Sequence, residues 1–300
     1  MGTPGERVEM SRSATMARDG AARGTGLRTT TAPRRRLLPQ SRPWPGWLLV
    51  ICQAGILVGI LGFWQAGVAL GLIDGFFWSS PSKVAVSFVT YLTRGDAVTD
   101  IAYTFRSTLI GFVLGTSCGS LLGLSFWWSP NYAAVVQPYL IAFEAMPKLA
   151  LAPLIILIFG MGLISKVAIA IALTIVVSCL TTFSGVRSID HDGERLFYSL
   201  GATRLQVFRK FVIPAVLPWV ISILRVNIGL ALTGAVVGEF IASEHGLGRA
   251  ILYAGETYDI GLVWSGVLLL AMLSFLMFVV ISWLERLLIK GVTRGVTVSR

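Results

Sequence analysis

The sequence has few of the residues on which catalysis and metal binding depend. Its 300 residues include three cysteines and two histidines, and charged residues make up 13% of the chain. The patterns of a nucleotide-binding P-loop, of a zinc protease helix and of a two-cysteine motif are absent, and the acidic residues form no cluster suited to a metal. The sequence therefore predicts no nucleotide site, no metal, no cofactor and no catalytic residues in this chain.

Apolar residues, in contrast, make up 55% of the chain at a mean hydropathy of +0.76, far above the range of soluble domains. The net charge of +10 is concentrated at the two ends. Residues 1–45 carry nine arginines against three acids, and residues 286–300 carry four basic residues and no acid. Elsewhere the charges balance, and the aromatic residues lie in apolar runs away from the arginines, which argues against nucleic-acid binding.

Six apolar segments are each long enough to cross a bilayer as a helix, which takes about 20 residues. They predict an all-α polytopic fold with spans at Trp47–Leu70, Thr108–Trp128, Ala133–Phe159, Ile164–Phe183, Pro214–Val237 and Gly261–Trp283. Basic residues favour the cytoplasmic side, so both termini and the loop after the fourth span are expected there. We divide the chain into a basic disordered tail (1–45), a first helix with an outer segment (46–100), a membrane core (101–288) and a C-terminal tail (289–300).

Four glycines recur at intervals of four residues in the second span, at Gly111, Gly115, Gly119 and Gly123. This spacing places them on one side of a helix, where small residues let a neighbouring helix approach closely. The same stretch matches the G-x-S-x-G pattern of serine hydrolases, but both histidines lie in loops, so a protease is not supported.

The loop between the fourth and fifth spans, residues 187–213, is the most informative polar segment. Its first part predicts a short helix capped by Asp192, in which Leu196, Phe197 and Leu200 share a face. Gly201 suits the left-handed turn that ends a helix. A short amphipathic helix carried on a loop is a shape that fits a groove in another protein.

A second short helix is expected to follow the glycine. Thr203 and Gln206 have the spacing of a capping box, and Pro214 marks the entry to the fifth span. The whole arrangement resembles the EAA loop of ABC importer permeases, in which E-A-A is followed by three residues, a glycine and nine more residues. Gly201, Ala202 and Pro214 keep that spacing, whereas Arg195–Phe197 occupy the E-A-A positions.

The segments around this loop, Pro147–Pro153, Phe159–Gly162 and Gly185–Asp190, resemble the nitrate, sulfonate and taurine branch of those permeases. The resemblance implies the type I importer (MetI-like) fold, an inner-membrane location and a homodimer. It also implies two ATP-binding subunits that hydrolyse ATP, an outer substrate-binding protein, and a small, often anionic solute. The implied ATPase-coupling residues are Glu194, Leu196, Phe197, Ser199, Leu200, Gly201, Ala202, Arg204 and Pro214.

Ionisable and polar residues inside the spans are costly and commonly mark a transport pathway, as do broken helices. The third span is expected to be interrupted near its middle by Glu144, Pro147, Lys148 and Pro153. An ion pair is an equally good interpretation of its charged residues, because Glu144 and Lys148 stand at i and i+4. Arg225 either reaches into the membrane or extends toward the cytoplasm. The candidate pathway residues are Glu144, Pro147, Lys148, Arg225, Asn227 and Glu239.

The alternative function is a secondary transporter or channel that works without an ATPase. It requires intramembrane carboxylates for ion coupling or an inverted repeat, and no clear repeat is present. It also leaves the polar loop without a purpose. A membrane scaffold is a third possibility that no feature specifically supports.

Overall fold

The structure is a computed structural model that describes the backbone of residues 45–297 and the side chains of residues 45–93 and 95–288. The predictions for the arginine-rich tail and for the last residues of the C-terminal tail therefore lie outside the described residues. The chain divides into two compact units, residues 1–56 and 57–300, and all the contacts described below belong to the second unit.

Helices account for every regular element of residues 45–297. Five helical segments are long and apolar enough to cross a membrane, and a bent pair of shorter helices makes a sixth. This confirms the prediction of an all-α chain with about six spans. The five are α1 (Gly46–Ala69), α4 (Ala97–Ser125, continued by a 3₁₀ turn to Trp128), α7 (Leu163–Arg187), the segment Arg204–Ile241 and α12 (Ile260–Thr297).

Two short helices fill the segment between the first two spans. They are α2 (Gly75–Trp78) and α3 (Pro81–Arg94). Ser80 caps α3 by accepting a hydrogen bond from the Lys83 N–H at 3.4 Å, and Pro81 occupies the first turn, where its missing N–H costs nothing. A helix in this segment agrees with the sequence expectation.

The bent span consists of α5 (Pro130–Ala145), a 3₁₀ turn (Lys148–Leu151) and α6 (Ala152–Phe159), and the two arms meet at 82°. Met146 is extended at φ −73° and ψ 139°, the conformation that a following proline favours. Pro147 therefore ends α5, and the predicted interruption of the third span is confirmed.

The glycines of α4 form a seam against α7, as predicted. A Cβ added at Gly115 would lie 1.9 Å from Oγ1 of Thr174, and one at Gly119 would lie 2.2 Å from the carbonyl oxygen of Ile175. Gly111 and Gly123 are equally closed by α7. The two helices thus pack backbone to backbone, which only small residues allow.

The polar loop contains α8 (His191–Ser199) and α9 (Arg204–Val207). A π turn, Phe208–Val212, then joins α9 to α10 (Ile213–Ile241), so the second short helix is continuous with the fifth span. Pro214 lies in the first turn of α10, in agreement with its predicted position at the entry to the fifth span. Pro214 follows the π turn, whose hydrogen bonds run from i to i+5, and the helix passes a residue without an N–H there.

The remaining helix, α11 (Leu247–Glu256), lies between the last two spans. Helices α4, α7 and α10 pack on one another most extensively, and their contact surfaces carry most of the buried polar side chains of the described residues. Those buried groups fix where the candidate site residues sit.

Candidate functional site: the polar loop and the polar residues of the spans

Helix α8 is defined by its two ends. Asp190 caps the N-terminus by accepting a hydrogen bond from the Asp192 N–H at 3.0 Å, so the predicted cap at Asp192 was wrong by two residues. At the other end Gly201 has φ +77°, in the left-handed region that the sequence predicted. No neighbouring atom lies within 4 Å of the position of a Cβ on Gly201, so backbone conformation alone selects glycine there.

The next helix starts with the predicted capping box. The Thr203 hydroxyl accepts from the Gln206 N–H at 3.4 Å, and the Gln206 side chain accepts from the Thr203 N–H at 2.8 Å. The loop therefore has fixed geometry on both sides of Gly201, and α8 is held at a defined angle to the span that follows.

One side of α8 rests on the π turn. The rings of Phe197 and Phe211 lie 5.2 Å apart, and a Cβ on Gly193 would come within 2.6 Å of the Phe211 ring. The other side carries Leu196 and Leu200, whose exposed fractions are 57% and 77%. Phe197 therefore turns inward, away from the two leucines with which the sequence grouped it.

The remaining loop residues brace this arrangement. Ala202 packs in the same apolar cluster as Phe197. The Ser199 hydroxyl donates to the carbonyl of Leu196 at 2.8 Å, and Glu194 lies 3.8 Å from Nδ1 of His191. The Arg204 guanidinium donates to the carbonyl of Trp128 and stands over its ring, 5.2 Å from the centroid. These contacts fasten the loop to the end of the second span.

The charged break in the third span contains an ion pair. The Lys148 ammonium donates to Oε2 of Glu144 at 2.5 Å, and the Lys148 side chain is 8% exposed. The ion-pair interpretation is therefore confirmed, and it leaves open whether the pair also lines a pathway. Pro147 lies between the two partners, at the bend.

Arg225 extends toward the end of the sixth span. Its guanidinium donates to Oε2 of Glu285 at 2.5 Å and lies 5.6 Å from the centroid of the Phe278 ring. Because Glu285 is one of the last residues before the basic C-terminal tail, this contact favours the second of the two positions considered for Arg225.

Asn227 lies at the point where three spans meet and is fully buried. Its amide donates to Oγ1 of Thr116 on α4 at 2.9 Å and to Oγ of Ser178 on α7 at 2.5 Å. Buried amides with such partners stabilise one arrangement of helices. Asn227 therefore links α4, α7 and α10 by hydrogen bonds.

Glu239 is also buried, near the end of α10. Its Oε2 accepts from the Thr104 hydroxyl at 3.0 Å and from the Gly248 N–H at 2.9 Å. A Cβ on Gly246 would lie 2.4 Å from the carboxyl carbon, so the chain can pass over Glu239 only at glycine. The carboxylate thus fastens the start of α11 to α4 and α10.

Asp100 makes a second, parallel contact that the sequence did not indicate. Its Oδ1 accepts from the Gly246 N–H at 2.7 Å, and its Oδ2 accepts from the Tyr91 hydroxyl at 2.6 Å. Burial, the hydrogen bond and the Asp100 charge raise the pKa of Tyr91, so its hydroxyl stays protonated and donates at physiological pH. Of the two carboxylates, the sequence indicated Glu239 and not Asp100.

Lys166 belongs to the same region and was also missed. It is fully buried, and its ammonium donates to the carbonyls of Met161 and Ala242.

We call Asp100, Thr104, Glu239 and the Gly246–Gly248 turn the carboxylate latch. Of the six predicted pathway residues, whose side chains are all described, Glu144 and Lys148 are the one pair that hydrogen-bond to each other. Arg225, Asn227 and Glu239 have separate partners.

None of these clusters has the arrangement of a catalytic site, and no group of three potential metal ligands occurs among the described residues. The features instead combine a multi-span helical bundle with a broken span and an ordered polar loop that presents apolar side chains. That combination defines the permease class of membrane transport proteins.

Comparison with known proteins identifies the family. Residues 111–294 match the model of the binding-protein-dependent transport system inner membrane component, so the chain belongs to that family and is a multi-pass inner-membrane permease of the ABC importer type. The riboflavin transport system permease protein RibX of Chloroflexus aurantiacus is 36% identical over 87% of this chain and 96% of its own length. The formylaminopyrimidine transport permease protein ThiX of Halalkalibacterium halodurans is 34% identical over 70% of this chain and 84% of its own.

The taurine transport system permease protein TauC of Escherichia coli is 27% identical over 81% of this chain and 90% of its own. Among solved structures, a bacterial ABC transporter involved in the import of the polysaccharide alginate aligns with a TM-score of 0.57. That match covers 80% of this chain and 95% of the other at 15% identity, which shows the fold alone. The MetI-like importer fold predicted from the sequence is confirmed by this likeness together with the family match.

Proposed function

We propose that this chain forms the membrane pathway of an ATP-driven importer and that the polar loop couples it to separate ATP-binding subunits. In this assembly two copies of the chain pair, two ATPase subunits dock on their loops, and a substrate-binding protein delivers the solute from outside. The observation that carries the proposal is the exposure of Leu196 and of the C-cap residue Leu200 on the side of α8 opposite the contact between Phe197 and Phe211.

The contacts of α8 suit the transmission of force. The helix cannot move independently of the fifth span, because Phe197 and Gly193 both rest on Phe211 of the π turn. Arg204, at the start of α9, attaches the same continuous helical segment to the end of the second span. A displacement of α8 by a partner would therefore be passed directly to two membrane helices. The left-handed turn at Gly201 and the capping box at Thr203 fix the angle between α8 and the next helix, so that the two move together.

We further propose that the pathway runs along the bend of the third span. Pro147 breaks the helix there, and the Glu144–Lys148 pair lies at the break. Asn227 and Glu239 have the contacts of structural ties, and Arg225 is paired with Glu285, so the bend is the strongest pathway candidate of the original six residues.

For the solute, we propose a small organic molecule of low net charge, such as a nitrogen heterocycle. The two basic residues among the candidate pathway residues, Lys148 and Arg225, each have a carboxylate oxygen at 2.5 Å. Relatives named for riboflavin and formylaminopyrimidine are 36% and 34% identical, against 27% for the taurine permease. A nitrate-, sulfonate- or taurine-like anion is the second candidate, favoured by the segments around the loop. Uptake of labelled riboflavin and taurine by cells that carry the full transporter separates the two.

The orientation is part of the proposal. With both termini in the cytoplasm, Ser199 lies inside the cell and His245 outside. In a variant without Cys52, Cys118 and Cys179, a membrane-impermeant thiol reagent applied to intact cells should label His245→Cys and spare Ser199→Cys. The reverse pattern would invert the topology and remove the loop from the ATPase side.

The docking itself is tested by one charge on the exposed face. Leu200→Asp should abolish co-purification of the ATPase subunit, because a buried carboxylate without a partner is strongly unfavourable in an apolar groove. Leu72→Asp is the matched control, since Leu72 is 80% exposed on a different loop and Leu200 is 77% exposed. Retention of the ATPase by Leu200→Asp, or equal loss in both variants, would contradict the proposal.

A further inference from the structure

A cavity of about 640 Å³ lies between α8 and the junction of the second and third spans. Its volume is within the range of small-molecule sites. Its apolar wall includes Phe126, Ala133 and Phe183, and its polar wall includes Arg187, His191 and Arg204. No side chain of the polar loop fills this space. A ligand with both an apolar and a charged part would match its two walls.

The charge around the cavity favours an anion. Arg187 and Arg204 line it, and neither forms an ion pair among the described side chains. Glu194 is the one carboxylate in the lining. The N-terminus of the 16-residue helix α5 also opens onto the cavity at Pro130, with no acidic residue in its first turn. The dipole of α5 adds positive potential at this end to that of the two arginines.

The aromatic residues around the cavity are those of a membrane boundary. Trp127 lines it, and Trp128 and Tyr132 stand beside it at the junction of two spans. Phe126 packs against Tyr132 and Phe183 with ring centroids 5.1 and 4.9 Å apart. Tryptophan and tyrosine concentrate where acyl chains give way to lipid headgroups. The arginines therefore stand at headgroup level, next to apolar walls that continue into the spans.

We propose that this cavity binds the phosphate headgroup of an anionic phospholipid. The phosphate would lie between Arg187 and Arg204, and the acyl chains would run along the apolar wall at Ala133 and Phe183. A soluble phosphate ester shares the charged part of this chemistry. The lipid is favoured because the cavity joins a basic patch to membrane-level aromatic and apolar surface, which basic pockets between spans use for anionic headgroups.

The position of the cavity links the lipid to coupling, and this part rests on the proposed function. His191 and Glu194, in the first turn of α8, form the wall opposite α5. A headgroup in the cavity fills the space beneath the coupling helix and holds it against the π turn. Transport-coupled ATP hydrolysis in the assembled importer should therefore be higher in membranes that contain anionic lipid.

Binding is tested without any partner protein, by native mass spectrometry of the purified permease with phosphatidylglycerol and with phosphatidylcholine. Phosphatidylglycerol should be retained preferentially, and Arg187→Gln should weaken its retention about fivefold, the effect of one basic residue near an anionic surface. Arg187→Lys should keep the binding. Arg209→Gln removes the same charge from an exposed site that does not line the cavity and should leave binding unchanged.

Two further arms separate the site from its alternatives. Ala134→Trp fills the cavity without changing charge and should also displace the lipid. Glycerol 3-phosphate should not compete at millimolar concentration; competition that depends on Arg187 would assign the site to a soluble phosphate ester and overturn the proposal. Equal loss with Arg187→Gln and Arg209→Gln would overturn it as well. Because no ATPase is present, these outcomes are independent of whether the loop is the coupling element.

Discussion

The polar loop (residues 187–213) and the carboxylate latch are two polar regions of the same chain that differ in which of their side chains are buried. In the loop, Leu196 and Leu200 are exposed although they are apolar. In the latch, Asp100 and Glu239 are buried although they are acidic. The capping-box hydrogen bonds of the loop join residues three positions apart, whereas the latch includes bonds between residues 135 and 146 positions apart.

We interpret this difference as that between the surface proposed to bind the ATPase subunit and a set of contacts that holds the spans together. An exposed leucine lowers the stability of the isolated chain only slightly. It contributes to the free energy of binding when an apolar groove covers it. A buried carboxylate is tolerated only where donors satisfy it, and those of the latch come from α3, α4 and the start of α11. Substitutions in the latch should therefore change stability first, and substitutions in the loop should change coupling first.

The largest expected effect on stability lies in the glycine seam, the apolar counterpart of the latch. Gly115→Leu should lower the free energy of unfolding by about 3 kcal/mol, because the new side chain overlaps Thr174 and the backbone at Ile171. Gly59→Leu is the control, since no atom lies within 4 Å of its Cβ position. Equal thermal stability of the two purified variants would mean that the seam is not closed in the membrane.

The free energy of unfolding should fall more when the hydrogen-bond acceptor at Glu239 is removed than when its charge alone is removed. Glu239→Ala leaves the Thr104 hydroxyl and the Gly248 N–H without a partner and should cost about 2–3 kcal/mol. Glu239→Gln keeps one oxygen in place and should cost less than about 1 kcal/mol. Leu200→Ala, in the exposed loop, should stay within about 0.5 kcal/mol. Thermal unfolding of the three variants in one detergent ranks them, and a reversed order would contradict the contrast between the regions.

Asp100 sharpens this prediction because both of its oxygens accept hydrogen bonds. Asp100→Asn should cost about 1 kcal/mol, more than Glu239→Gln, since the amide cannot accept from both the Gly246 N–H and the Tyr91 hydroxyl. Adding Tyr91→Phe to Asp100→Asn removes the competing donor and should cost less than the sum of the two single changes. Strict additivity in a double-mutant cycle would show that the two side chains are not coupled.

The smallest effect on stability is expected at the bend of the third span. Lys148→Met removes the partner of Glu144, which is 37% exposed, so the loss should be below about 1 kcal/mol. Uptake should nevertheless fall more than expression, because charged groups retained at membrane depth usually serve transport. Expression and uptake measured on the same cells decide this, and a parallel fall in both would leave the pair a purely structural role.

The parts that sequence reasoning recovered depend on local spacing. The spans, the Gly201 turn, the Thr203–Gln206 box and the ion pair at i and i+4 each involve residues fewer than about 30 positions apart. The latch could not be predicted, because nothing near Asp100 indicates that its partner is the N–H of Gly246. Glu239 and Asn227 were noticed only for their polarity inside a span, and their partners, which suggest structural roles, come from other helices.

The errors in the loop have the same origin. The sequence placed the cap at Asp192, although Asp190 has the extended backbone that a cap requires. It also grouped Phe197 with the two exposed leucines, because periodicity alone does not show that Phe211 packs against the inner side of α8. The continuity of the second short helix with the fifth span was not predicted, since a π turn has no simple sequence signal.

The central claim, that α8 and its glycine corner couple transport to ATP hydrolysis, is tested most directly by Gly201→Val beside Gly201→Asn. A branched residue is strained at φ +77°, whereas asparagine tolerates that conformation, and no neighbouring atom lies within 4 Å of the Cβ position that both share. Uptake and ATP hydrolysis are measured together in proteoliposomes that contain the permease, its ATPase and its binding protein. The account predicts normal assembly for both variants, near-normal activity for Gly201→Asn, and loss of uptake with reduced transport-stimulated hydrolysis for Gly201→Val. Wild-type rates of both activities in Gly201→Val would contradict it.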